Sequence, residues 1–145
     1  MTRAAAALLA AFLATGCVSP SRTDDDYARK AANTAESVGS AVNTALVGVR
    51  AARTGKVFAN YLSRLLAEAE EDADAAVQTF DSVQPPNAKA DAIHDELDTL
   101  LNEATDVLRE LRITVRRGEL ARLADVAAPL DPLSTKFDAF QAEWG

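Results

Sequence analysis

Between Tyr27 and Ala52 the apolar and small residues return every three or four positions: Tyr27, Ala31, Thr34, Val38, Ala41 with Val42, Ala45, Val49 and Ala52. That alternation lines them up on one face of an α-helix. The spacing predicts a helix over 24–53. Thr23 is suited to cap its start, and the charges of Asp24, Asp25 and Asp26 favour a helix N-terminus. The stripe is thin and rich in alanine, with Gly39 and Gly48 beside it, so a neighbouring helix can approach closely.

Arg53-Thr54-Gly55-Lys56 reads as a helix end, with basic residues in the last turn and then glycine. A second stripe follows at Phe58, Leu62, Leu65, Leu66, Ala69, Ala73, Ala76, Phe80 and Val83, predicting a helix over 56–83. Its register continues across Gly55, so the pattern also admits one helix of about 60 residues, about 90 Å long. Two later helices of ordinary length would cover only half of such a rod, which favours a hairpin at Gly55. Pro85-Pro86 breaks the helical pattern, and Asn87 is suited to cap the next segment. Helix 88–117 carries Ile93, Leu97, Leu100, Leu101, Ala104, Val107, Leu108, Leu111 and Val115, and Gly118 ends it. A fourth helix from Glu119 carries Leu120, Leu123, Ala127, Leu130, Phe137, Phe140 and Trp144. Pro129 and Pro132 interrupt it, with Asp131-Pro132 as the expected restart. The expectation is an all-α, up-down four-helix bundle over 24–145, preceded by a signal peptide and a short tether. The alternative is a long continuous first helix with two shorter helices packed on it.

The N-terminus has its own pattern. Met1-Thr2-Arg3 is a short basic start, and residues 4–14 contain only Ala, Leu and Phe. Such a run fits a secretory signal and falls short of the roughly 20 residues that span a bilayer. It ends in Ala14-Thr15-Gly16-Cys17. The segment resembles the bacterial lipoprotein signal, although the leucine of that pattern, Leu13, stands one place early. The resemblance implies cleavage between Gly16 and Cys17, removing 1–16, and lipidation of Cys17 with acyl chains such as palmitate. Residues 17–23 then form the lipidated cysteine and tether. Membrane lipid would be the first partner, and the location extracytoplasmic, anchored to the cell membrane. The plainer alternative is an ordinary secreted chain with a free Cys17. The helical remainder is similar in style to uncharacterised helix-bundle lipoproteins of GC-rich Gram-positive bacteria, which implies no activity.

Composition narrows function further. Net charge is −7 over 145 residues, with no basic-aromatic interleaving, which argues against nucleic acid. A single cysteine makes no internal disulfide, so the fold rests on its core. With one histidine and an acylated cysteine, a nucleophile-base pair has almost no parts, and the expectation is a non-enzyme without cofactor. Asp91 and His94 lie one helical turn apart and are weak metal candidates. The plainer reading makes His94 a half-exposed boundary residue. Glu68, Glu70, Glu71, Asp72 and Asp74 read as a solvated helix face, and Phe58, Phe80, Phe137 and Phe140 as core.

In the bundle, the acids Asp24 to Asp26, Asp72, Asp74, Asp81, Asp91, Asp95, Glu96, Asp98, Asp138 and Glu143 would fall toward the tethered end. The cations Arg50, Arg53, Lys56, Arg109, Arg112, Arg116, Arg117 and Arg122 would fall at the far end. Part of this order complements helix dipoles, but the segment 56–83 runs against the dipole rule. Arg50, Arg53, Lys56, Arg112, Arg116, Arg117 and Arg122 therefore form a candidate surface for an anionic envelope polymer or protein partner. The first expected function is a tethered envelope interaction or structural module. The second is a small-ligand or metal carrier with a site in the bundle core.

Overall fold

A computed structural model describes Ser21 and residues 23–145; among these there is no strand. Helix α1 is Asp24–Arg53, α2 Ala59–Asp81, α3 Ala88–Arg116, α4 Leu123–Val126 and α5 Leu130–Trp144, with a 3-10 turn at Leu120–Arg122 before α4. The chain is all-α. The long continuous first helix does not form, because α1 stops at Arg53. Gly55 then takes a φ of +70°, a conformation that costs a side-chain-bearing residue strain. Gly118 does the same after α3, with φ +73°.

The starts are capped as their sequences allow. Thr23 accepts a hydrogen bond from the Asp26 amide at 3.2 Å. Asn87 accepts from the amides of Lys89 and Ala90, at 3.0 and 3.2 Å. The Asn87 side chain also donates to Asp24, joining the start of α3 to the start of α1. α2 has no side-chain cap; Phe58 stands in that position with extended backbone.

α1 is the element the others gather around, packing against α2, α3 and α5. Its buried set is wider than the thin stripe read from the sequence. It adds Ala32, Ala35, Gly39, Leu46 and Gly48 to the expected positions. Alanine and glycine carry little hydrophobicity, so a face built from them is faint in sequence and still fully packed. A Cβ at Gly39 would lie 3.1 Å from Phe137 Cβ, so α5 comes close there. The bulk is supplied from the other side by Leu62, Leu66, Phe80, Ile93, Leu97, Leu101, Leu108, Leu111, Phe137 and Phe140, each at most 2% exposed. Dense packing of large against small is the form such interiors take.

Contacts along the helices fix their levels. Tyr27, early in α1, meets Phe80, late in α2, with ring centroids 5.7 Å apart. A Cβ on Gly48, late in α1, would lie 3.2 Å from Leu62 Cδ1, early in α2. Phe80 meets His94 at 5.5 Å, and Glu70 holds Arg112. Ser134 donates to Asn43 at 2.8 Å, and Arg50 pairs with Asp131 at 2.5 Å.

Three expectations need correction. Phe58 is not core: it is 83% exposed. It lies in the turn before α2 begins, so the helical phase that seemed to carry it inward does not apply. Leu120 is likewise 47% exposed, because it sits in the 3-10 turn. The last helix restarts at Leu130 rather than at Pro132. Pro129 takes the position before it, where a missing N–H costs nothing, and Asp131 is exposed and turned to Arg50 instead of capping.

Candidate interaction surface

The seven expected cations divide into two sets. α1 and α3 set out together, through Asp24 and Asn87, and have 30 and 29 residues. Arg53 ends α1 and Arg116 ends α3. Three cations near those ends are already matched. Arg50 pairs with Asp131. Arg122 pairs with Glu119 at 2.6 Å and with Glu110 at 3.5 Å. Arg112 is bound through two nitrogens to Glu70, one bond being 3.1 Å from Nη2 to Oε1. Donating that hydrogen bond to Glu70 raises the Arg112 guanidinium still further above its usual range. Arg109 also reaches Glu70, at 3.9 Å, and binds Asp106 at 2.8 Å.

Arg53, Lys56, Arg116 and Arg117 remain, all exposed, with no carboxylate of the described residues within 4.0 Å. Asp131, Glu119, Glu110 and Glu70 are engaged with Arg50, Arg122 and Arg112, and Glu71 and Asp74 line a cleft with Arg116 without an ion pair to it. The candidate surface is thus narrower than the seven residues expected. Its members are those with no ion pair among the described residues, and because Asp131 and Glu70 reach their partners from distant segments, sequence alone does not separate the two sets.

Glu68, Glu71 and Asp72 are exposed, as expected of a solvated face, and Glu70 is the exception. It is 8% exposed and crosslinks α2 to α3. Asp74 lines the same cleft as Arg112 and Arg116, so it lies partway along the molecule rather than at the end with the α1 start. The end with the α1 and α3 starts keeps Asp24, Asp25, Asp81, Asp91 and Asp95, and the last three act on Tyr27. Burial, then the charges of Asp91, Asp81 and Asp95, push the Tyr27 hydroxyl up to about 12. That hydroxyl is buried and finds no hydrogen-bond partner among the described residues. Sequence reading saw Tyr27 only as a stripe residue.

His94 is half-buried, its ring edge-on to Phe80 and its Nδ1 without a partner among the described residues, while Asp91 is exposed. No group of three or more metal-ligating side chains occurs among the described residues. A cleft of about 610 Å³ lies on the surface between α1 and α2, lined by Lys30, Asn33, Thr34, Thr79, Phe80 and neighbours. Gly16 and Cys17 lie outside the described residues, as does the segment 1–16. Among the described residues no helix is long and apolar enough to cross a membrane.

The apolar side chains exposed near the unpaired cations were not anticipated. Val47 is 65% and Tyr61 57% exposed, and with Val57 and Leu65 they line an open groove at the α1–α2 turn beside Phe58. No protein family matches the sequence, and no curated protein or solved structure matches it either.

Proposed function

We propose that the chain is an extracytoplasmic lipoprotein, tethered through acylated Cys17, whose helices form an up-down four-helix bundle acting as a non-enzymatic envelope interaction module. The contacts of Phe80, late in α2, with Tyr27, early in α1, and with His94, early in α3, support the up-down reading, as does Ser134, early in α5, meeting Asn43 in the second half of α1. The Ala14-Thr15-Gly16-Cys17 run supports the tether.

The observation that carries the functional reading is the set Arg53, Lys56, Arg116 and Arg117, left without ion pairs among the described residues on a chain of net charge −7. Like charges held together repel, by about 1 kcal/mol for a pair about 4 Å apart in water and less under salt. A chain with an excess of carboxylates has other places for its cations. An anionic envelope component gives the cluster a reason. The test is the triple charge reversal Arg53→Glu, Arg116→Glu, Arg117→Glu. All three residues are exposed, so helix content and melting stay near wild type. Retention of the full chain on envelope material falls steeply, and wild-type retention weakens as salt rises. Full retention by the triple variant would contradict the reading.

A further inference from the structure

We infer that the tip of the α1–α2 turn is a contact surface for an anionic lipid bilayer; this rests on the proposed basic pole and assigns its partner class. Phe58 is 83% exposed, Val47 65% and Tyr61 57%. Single exposed apolar side chains need no explanation, but a group of them around one turn does. Arg53 and Lys56, on either side of Gly55, are exposed in the same turn and without ion pairs among the described residues.

The tip is also an extremity. Glu70 lies level with Arg112, and Phe80 with His94. Continuing those two registers puts Gly118 level with about residues 56 to 64, so the turn carrying Phe58 lies at the level where α3 ends.

These features together select among anionic partners. A hydrated polymer rewards cations but gives nothing for Val47 and Phe58 in water. A partner helix seated in the groove of Val47, Val57 and Tyr61 would still leave Phe58, which is outside that groove and 83% exposed, in water. A bilayer interface rewards both parts: an aromatic side chain seats among the headgroups while arginine and lysine meet anionic lipid. Ser21, four residues beyond Cys17, contacts Lys30 in the opposite half of α1, about 35 Å from Arg53. The tip therefore engages lipid independently of the acyl anchor.

The test places a fluorescent reporter at the tip of the full chain, through Phe58→Trp combined with Trp144→Phe. The probes are vesicles of phosphatidylglycerol, vesicles of phosphatidylcholine and a soluble anionic polysaccharide. With phosphatidylglycerol the reporter's indole emission shifts to the blue and is quenched by brominated acyl chains; with phosphatidylcholine it stays as in water. Adding Arg53→Glu and Lys56→Glu weakens this response by about fivefold or more per cation. Unchanged emission on phosphatidylglycerol overturns the inference, as does an equal response to both lipids. So does a response to the polysaccharide alone, which makes the tip a polymer site. If the tip reporter fails to respond while the triple charge reversal still loses envelope binding, the basic pole stands and only its lipid assignment falls.

Discussion

Leu101 and Leu108 are buried to within 1% on the inner face of α3, with α1, α2 and α5 around them. Truncating either to alanine removes packed methyl groups and leaves a cavity, at a cost of about 2–5 kcal/mol. Thermal melts check this, and changes within error at both positions would mean that the α3 stripe faces water. Tyr27 makes a prediction about pH. Its ordinary value is 10.0 and the folded value about 12, so over that window the unfolded chain loses the proton while the folded chain keeps it. Stability contributed by the neutral phenol is complete below pH 10 and is lost as pH rises toward 12. Tyr27→Phe removes that component, so its alkaline loss of stability is shallower than that of wild type in denaturant titrations. The stripe leucines were legible because bulky apolar side chains at helical spacing leave few choices. Phe58 and Glu70 were not. Their burial depends on where a helix begins and what the next helix brings opposite, and neither is a local property of the sequence.

The helices themselves were largely legible. Pro85-Pro86 with Asn87, and Arg116-Arg117 with Gly118, punctuate the chain by backbone chemistry alone. The α1–α2 junction was harder, because apolar phase runs through Gly55 and only the turn geometry separates hairpin from rod. Gly55→Ala tests that turn. Nothing crowds a Cβ there, so the cost is the left-handed backbone alone, about 1–2 kcal/mol. Gly48 tests the α1–α2 contact in a different way. A Cβ would press on Leu65 and lie 3.2 Å from the fully buried Leu62. Leu65 is half-buried and its end can swing away, so alanine, with its better helix propensity, comes out near balance. Gly48→Leu adds volume that nothing can absorb and costs about 1–3 kcal/mol. A melting temperature unchanged in Gly48→Leu would show that α2 does not lie against this part of α1.

At the scale of the whole molecule, charge and exposure are distributed along the long axis. Ser21 and the aspartates near Tyr27 lie at one end, and the unpaired cations with Phe58 at the other. The sequence disclosed the polarity in outline, since cations cluster near two turns. It did not disclose which were neutralised, because Asp131, Glu110 and Glu70 reach Arg50, Arg122 and Arg112 from 81, 12 and 42 residues away. This polarity acquires a direction only if the start of α1 is held at a membrane, so acylation of Cys17 is the premise on which the tethered module rests. Mass spectrometry of the mature protein from its native membrane tests that premise most directly. The account predicts an N-terminal peptide that begins at Cys17 and carries diacylglycerol on its sulfur. A mature chain with an unmodified Cys17, or one that retains Met1 to Gly16, would contradict it.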